Sequence, residues 1–349
     1  MIIAGAASAL PKHKYDQRVL LEALKQFWGV KLENPLFIER LHNRVGVDTR
    51  HLALPMEAYY SIDTWGKANN HWIDAAVDLG EQALNLALER SGISKDKLGA
   101  IFFVSVTGVA SPSIDARLIN RMGLPLNIKR VPIFGLGCVA GAAGVARAAD
   151  YVRAFPDQVA AVISVELCSL TLQHDDLSIA NLISCGLFGD GAGAALIAGE
   201  QVNCSGPRIL STRSVFYPDT EQVMGWDISE KGFRIVLSRE VPIVVEKNLA
   251  SDVDAFLGSH GLTRKDIGNW ILHTGGPRIL EATEIALQLP EGALDASWTC
   301  LKRTGNLSSA SVLLVLEEVM VNRRPAADSY SVMAAMGPGF CSELILLRW

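Results

Sequence analysis

The chain has 349 residues, 49% of them hydrophobic, and a formal net charge of −5 with no basic tract. This length allows a large core in two domains or one fused unit, and the acidic balance offers nucleic acid no obvious surface. The first apolar run has no basic residue before it and ends at Pro11, which indicates a strand rather than a signal peptide. No apolar run reaches the roughly 18 to 20 residues of a membrane span, so we expect a cytoplasmic protein without one.

The cysteines and histidines show no metal-binding pattern. The six cysteines never fall within four residues of one another, and the seven histidines include no HExxH pair. Zinc and iron–sulfur sites usually take their ligands from such close pairs. We therefore expect no metal site, and free thiols in a reducing compartment rather than disulfides.

The first half of the chain alternates helical and strand patterns. Amphipathic spacing predicts helices over residues 17–28, 37–44 and 73–92, the last closed by Gly92. Short apolar runs predict buried strands over residues 100–107, 131–136 and 158–167 and within 186–199. Apolar strands joined by helices favour a parallel-rich sheet that is covered on both faces.

The second half repeats this rhythm. Strands are predicted over 208–217 and 269–276, a long helix over 306–324, and two strands close the chain. Each half ends in a Gly-rich turn followed by a strand. The sequence thus predicts an α/β protein of two similar βαβαβ-type halves, residues 1–200 and 201–349, although identity between the halves is too weak to prove duplication.

Three polar residues stand out because of their positions. Cys138 begins a helical pattern of Ala, Val and Gly, where the free N–H groups of a helix start stabilise a thiolate; a small buried side chain at a tight turn is the alternative. His273 ends a predicted strand, where a loop histidine is the alternative, and Asn306 opens the predicted long helix, where a simple cap is the alternative. Together they suit one chemistry, since a thiolate needs an imidazole and an enolate needs N–H donors.

Two arginines form a possible anion site. Arg40 and Arg44 are four residues apart in the predicted helix 37–44, so they share a face. A solvated helix face and a phosphate-binding patch both fit this spacing. The local sequence leaves the choice open.

Five phrases occur in a characteristic order along the chain, namely GCVAGAAG, LFGDGAGAALI, HTGGPRIL, GNLSSASVLLVLEE and MGPGF. They resemble the motifs of the type III polyketide synthases, the chalcone and stilbene synthase family, and the resemblance covers nearly the whole chain. It implies a thiolase-like fold with a five-layered αβαβα core in a homodimer. It also implies iterative decarboxylative Claisen condensation of malonyl-CoA onto an acyl-CoA starter, with no cofactor and no obligatory acyl carrier protein.

The resemblance assigns roles by motif. Cys138 is the acyl-accepting nucleophile, while His273 and Asn306 polarise the malonyl thioester and stabilise the enolate left by loss of carbon dioxide. His273 also pairs with Cys138 as an imidazolium–thiolate. Phe188 matches an aromatic gate between the coenzyme A tunnel and the reaction cavity.

Further residues are implied at the tunnel mouth and in the cavity. Arg40 and Arg44 match basic residues that bind the coenzyme A phosphates, whereas Phe37 occupies a third basic position, so fewer charges are expected there. The implied substrate-binding residues, beside Phe188, are Thr107, Ser111, Glu166, Cys168, Thr171, Ser184, Trp226, Ile235, Gly337 and Pro338. Trp226 stands near the position of a plant glycine and Ile235 near that of a plant phenylalanine, which changes the shape of the pocket more than its volume. Ser111 replaces a methionine that crosses into the partner subunit, and Cys168 is expected to fill space rather than act as a second nucleophile.

The product is the least determined feature, because an apolar pocket discriminates only modestly per methylene. We expect a fatty acyl starter and an alkylpyrone or alkylresorcinol product. The alternatives are a malonyl-primed aromatic synthase of the tetrahydroxynaphthalene or dihydroxyphenylacetate type and a ketoacyl synthase III-like enzyme, although the latter usually has Gln-Ala-Asn after its histidine and this chain has Thr-Gly-Gly-Pro. A non-enzymatic thiolase-fold scaffold is disfavoured because Cys138, His273 and Asn306 are all present.

Overall fold

A computed structural model describes residues 1–32 and 34–349 of the chain. Its strands are β1 (Ile2–Ala9), β2 (His13–Asp16), β3 (Thr49–Leu52), β4 (Leu98–Val104), β5 (Lys129–Ile133), β6 (Val159–Leu167), β7 (Asp190–Ala198), β8 (Arg208–Phe216), β9 (Met224–Ser229), β10 (Gly232–Leu237), β11 (Ile267–Leu272), β12 (Tyr330–Gly337) and β13 (Cys341–Arg348). Its α-helices are α1 (Gln17–Trp28), α2 (Pro35–His42), α3 (Trp65–Ser91), α4 (Ile114–Met122), α5 (Ala140–Ala154), α6 (Ile179–Leu187), α7 (Val241–Gly258), α8 (Pro277–Leu287), α9 (Asp295–Thr304) and α10 (Ser311–Asn322). Within these residues, no helix has both the length and the apolar character needed to cross a membrane.

The main sheet is mixed rather than parallel-rich. Its strand order is β11-β12-β13-β8-β1-β7-β6-β4-β5. Only β4–β5, β4–β6 and β11–β12 are parallel pairs in the described sheet. The prediction was wrong because a returning strand closes each half: β7 runs antiparallel to β6 and β1, and β13 to β12 and β8. The helix between β6 and β7 therefore does not act as a parallel crossover.

The sheet consists of two half-sheets with the same internal order. β1-β7-β6-β4 in the first matches β8-β13-β12-β11 in the second, and β5 extends the first at its outer edge. The halves meet at β1 and β8, where the ladder pairs Ile2 with Arg208. α5 contacts β4 and β6 as well as β12 and β13, and α10 contacts β1 and β7 as well as β11 and β12, so both helices lie between the halves. The outer faces are covered by α3, which packs on β1, β6 and β7, and by α7, which packs on β13. Two outer helical layers, two half-sheets and the central helices confirm the predicted five-layered thiolase-like fold.

The ends of several elements differ from the sequence prediction. The third helix begins at Trp65, earlier than predicted, because the Thr64 side chain caps it by accepting a hydrogen bond from the Lys67 N–H. The strand predicted over 131–136 is shifted and ends at Ile133, because Gly135 follows with a φ of 93° that a ladder does not continue. The β9–β10 hairpin and α9 were not predicted.

Candidate active site

Cys138 lies in a single 3-10 turn, Gly137–Val139, that continues into α5, and the residue is 6% exposed. Gly137 has a φ of 55°, and a Cβ there would lie 2.6 Å from Pro338 Cδ. A Cβ on Gly337 would lie 2.6 Å from the Val139 nitrogen. Gly337 and Pro338, which the resemblance implies as substrate contacts, therefore pack against the turn that carries the thiol.

His273 follows β11 directly, and its main-chain N–H donates to the Ala334 carbonyl at 3.1 Å. Its imidazole is buried, and Nδ1 has no hydrogen-bond partner among the described residues. Because burial penalises the charged form, it lowers the pKa of His273 to about 4. The imidazole is thus neutral near pH 7 and carries one N–H donor.

Asn306 does not open the long helix, so that prediction was wrong. α10 begins at Ser311, after a 3-10 turn at Ser308–Ala310. The main chain of Asn306 instead forms a bridge to the segment after α6: its N–H donates to Leu187 O at 2.9 Å, and its carbonyl accepts from Gly189 N at 3.0 Å. This pairing holds Asn306 beside the segment around Phe188 rather than in a helical turn.

The Asn306 side chain is 2% exposed and has a fixed orientation. Its Oδ1 accepts from the Ser308 N–H at 2.7 Å and from Ser311 Oγ at 3.3 Å. Because Oδ1 is held by these two donors, Nδ2 points away from Ser308 and Ser311. Its hydrogen bond to Gly275 O is long, at 3.4 Å. The amide therefore presents N–H groups for another acceptor.

These three side chains line one cavity of about 560 Å³, called the catalytic cavity below. Cys138 Sγ lies 3.6 Å from Ser308 Oγ, and no hydrogen bond joins it to the imidazole in the described part of the chain. Burial raises the pKa of the Cys138 thiol to about 12 while lowering that of His273 to about 4. Burial of both groups thus favours the neutral thiol and the neutral imidazole, and the implied imidazolium–thiolate pair stays a prediction.

Phe188 lines both the catalytic cavity and a second space of about 110 Å³, called the inner chamber below. The residue follows the last turn of α6 in an extended conformation. Five other predicted cavity residues line the inner chamber: Cys168, Thr171, Ser184, Trp226 and Ile235. Phe188 thus borders both spaces, and the gate that the resemblance implies there stays a prediction.

The β9–β10 hairpin contributes side chains to both spaces. Trp226 pairs with Ile235 in the ladder and lines the inner chamber, while Met224 pairs with Leu237 and lines the catalytic cavity. Residues two apart on a strand share a face, which explains how one hairpin serves both. Alternating apolar residues on each side of a Gly-containing turn were the signal that could have revealed it.

The chain matches two family models. The model described as "Chalcone and stilbene synthases, N-terminal domain" matches residues 39–201, and the corresponding C-terminal domain matches residues 208–349. The chain belongs to the chalcone and stilbene synthase family. This family comprises the type III polyketide synthases, as the five ordered phrases predicted.

Similar proteins come from several bacteria. The chain is 48% identical over 350 residues to a 1,3,6,8-tetrahydroxynaphthalene synthase of Streptomyces peucetius subsp. caesius, covering 99% of this chain and 93% of the relative. It is 38% identical to a putative chalcone synthase of Bacillus subtilis, covering 99% and 98%. The crystal structure of 1,3,6,8-tetrahydroxynaphthalene synthase from Streptomyces coelicolor A3(2) superposes with a TM-score of 0.95 at 30% identity, covering 100% and 99% of the chains.

Five predicted cavity residues of this type III polyketide synthase lie outside both spaces, namely Gly337 and Pro338 beside the Cys138 turn and also Thr107, Glu166 and Ser111. Thr107 Oγ1 donates to Glu166 at 2.8 Å, and Glu166 is further bonded by Ser105, the Val106 N–H and Ser309. β6 is buried along its whole length, so Glu166 points into packed protein, and this burial raises its pKa to about 7. Ser111 is exposed on the surface of the single chain.

The arginines at the mouth of the catalytic cavity differ from the predicted set. Arg44 lines the cavity, but Arg40 does not, because it is exposed and its Nε donates to Leu36 O of its own helix. Arg239 and Arg278 also line the cavity and are exposed. Both were missed because Arg239 follows the hairpin and Arg278 lies at the start of α8, and local sequence does not show that these elements share a cavity with Arg44.

Proposed function

We propose that this type III polyketide synthase is malonyl-primed and forms an aromatic product of the tetrahydroxynaphthalene type. The observation that carries the proposal is the 48% identity, over nearly the whole chain, to a 1,3,6,8-tetrahydroxynaphthalene synthase. The inner chamber supports it, since it is only about 110 Å³ and has Tyr59, Tyr60 and Trp226 in its wall. The fatty acyl starter expected from the sequence gains no comparable support.

The reaction would begin when Cys138 passes its proton to the neutral His273 imidazole and the resulting thiolate attacks the thioester of a starter. The new Sγ–acyl bond replaces the bond to coenzyme A, which takes the proton from His273 and leaves as a thiol. A second malonyl-CoA then loses carbon dioxide, and the electron pair of the broken bond becomes an enolate. His273 and the Asn306 side-chain amide, which is held in a fixed orientation, would donate N–H hydrogen bonds to the enolate oxygen. Attack of the enolate carbon on the acyl group then releases Cys138 as a thiolate for the next cycle.

The arginines that line the catalytic cavity would bind the coenzyme A phosphates. We expect Arg239→Ala and Arg278→Ala each to raise the KM for malonyl-CoA by about tenfold with little change in kcat, because a phosphate contact at the mouth acts on binding rather than chemistry. Steady-state kinetics at two salt concentrations measures this, and the difference in KM between variant and wild type should shrink at high salt. Arg40→Ala is the matched comparison, since Arg40 lies outside the cavity. If Arg40→Ala raised the KM for malonyl-CoA at least as much as Arg44→Ala, the result would favour the phosphate-binding pair of Arg40 and Arg44 that was predicted from the sequence.

A homodimer is proposed on the basis of the β5 edge. In the described chain β5 pairs with β4 on one side only, and Val131, Phe134 and Leu136 at and beyond its end are exposed. An open strand edge beside apolar side chains favours pairing with a second copy. Light scattering should give twice the mass of the 37.7 kDa chain, and a monomer would contradict this arrangement.

The starter can be tested directly. Purified protein supplied with isotopically labelled malonyl-CoA alone should form an aromatic polyketide in which mass spectrometry finds every carbon labelled. Added long-chain acyl-CoA should compete poorly, because the inner chamber is small. Absence of product from malonyl-CoA alone, together with alkylpyrones from fatty acyl starters, would overturn the proposed starter and leave the condensing chemistry intact.

A further inference from the structure

The helix that carries the gate ends on caps from three distant parts of the chain. The last carbonyls of any α-helix lack partners within it. At the end of α6, Gly186 O accepts from the Gln17 side chain at 2.8 Å, and Leu187 O accepts from the Asn306 N–H at 2.9 Å. The next carbonyl, of Phe188 itself, accepts from Arg50 Nη1 at 2.7 Å. The position of the gate thus depends on tertiary contacts.

Arg50 connects two of these caps. It lies on β3, is 4% exposed, and donates from Nε to Gln17 Oε1 at 3.0 Å. One guanidinium therefore holds the Phe188 carbonyl and also orients the glutamine that holds Gly186. Within residues 1–32 and 34–349, no carboxylate lies within ion-pair distance of it. A cation beside the carbonyl end of a helix is electrostatically favourable, which helps to offset its burial.

The segment around Phe188 also fixes the position of Asn306. The N–H and carbonyl of Asn306 bond to Leu187 and Gly189, on either side of the gate residue. The preceding Gly305 has a φ of 74°, and a Cβ there would lie 2.6 Å from Leu187 O and 3.3 Å from Arg50 Cδ. The two segments are therefore in close contact with the arginine. A shift of the gate segment must move Asn306 as well.

We propose that Arg50 is a positioning residue that sets the gate Phe188 and the enolate-binding amide of Asn306 as one unit. The proposal rests on the proposed function for the role of Asn306. Without the guanidinium, the Phe188 carbonyl loses its partner and Gln17 loses its orientation. The segment then relaxes, so the ring leaves its place between the cavities and the Asn306 amide leaves the site of the enolate oxygen.

The test compares Arg50→Met and Arg50→Lys with the wild-type enzyme. The readouts are the rate of malonyl-CoA decarboxylation, the KM for malonyl-CoA, and the ratio of products from malonyl-CoA and hexanoyl-CoA starters. We expect R50M to lose about 10- to 100-fold in decarboxylation kcat with KM unchanged, and to shift the starter ratio, because small displacements of catalytic groups cost this much. R50K should recover part of the decarboxylation rate and part of the wild-type starter ratio, since one ammonium can donate to the Phe188 carbonyl or to Gln17 but not to the two together.

Three further variants separate the explanations. Arg121→Met changes an exposed arginine of α4 and should alter none of the three readouts. Phe188→Ala removes the ring but keeps the carbonyl, so it should change the starter ratio more than decarboxylation. An R50M enzyme that melts at a lower temperature but keeps the wild-type decarboxylation rate and starter ratio per folded molecule would overturn the proposal. Full decarboxylation by Asn306→Ala would overturn the role of Asn306 and this half of the proposal, while the starter ratio of R50M would still test the gate half.

Discussion

Cys138→Ala should abolish polyketide formation while malonyl-CoA decarboxylation continues. In the proposed cycle the acyl chain is attached to the enzyme only through Cys138 Sγ, so the alanine variant has no place to hold it. We expect product formation to fall by about 10⁴-fold or more, as for other enzymes that lose their nucleophile. Decarboxylation needs only the donors from His273 and Asn306, so acetyl-CoA should still form. Chromatography of both products in one assay measures the two rates together.

Two other thiols provide the controls for this prediction. Cys204 is half-buried and lines neither cavity, so Cys204→Ala should retain product formation. Cys168 lies in the inner chamber and is expected to fill space. If Cys168→Ala lost as much product formation as Cys138→Ala, the prediction that Cys168 only fills space would be wrong. Mass spectrometry of the starter-loaded protein, in which the acyl group should lie on the peptide that contains Cys138, decides between them.

The elements of the fold were largely predictable because they depend on local spacing. The amphipathic pattern over residues 17–28 coincides with α1, and the apolar run over 158–167 contains β6. The direction of β7 was not predictable in this way, since a buried strand is apolar whether its neighbours run parallel or antiparallel. Only the packing of the two half-sheets around α5 and α10 selects the antiparallel return.

The site residues that lie in sequence motifs were predictable. Those whose role depends on tertiary placement were not. Cys138, His273 and Asn306 lie in ordered phrases, and the structure brings all three into one cavity. Glu166, which the resemblance also implied as a substrate contact, lies on β6, and the two-sided burial of this strand directs it away from both spaces. Arg50 gave no signal, because its function depends on the Phe188 carbonyl, which is 138 positions away along the chain.

His273→Ala and Asn306→Ala should each lower malonyl-CoA decarboxylation by about 10²- to 10³-fold, the usual effect of removing one donor to a developing oxyanion. Loading of a starter onto Cys138 should survive better in Asn306→Ala, since that amide acts only on the enolate in the proposed cycle. The double variant should lose much less than the product of the two single losses, because both donors act on one oxygen. Decarboxylation of labelled malonyl-CoA and the mass of the loaded protein measure the two steps.

The pH dependence of decarboxylation tests the state of the imidazole. Burial lowers the pKa of His273 to about 4, so its neutral N–H donor is present throughout the neutral range. The wild-type rate should therefore show no inflection near the ordinary histidine pKa of about 6.5. His273→Gln, which keeps an N–H donor but cannot titrate, should recover part of the rate lost in His273→Ala. Full decarboxylation in either alanine variant would remove that residue from the enolate site, because carbon dioxide loss requires a stabilised carbanion and a group that contributes to it cannot be dispensable.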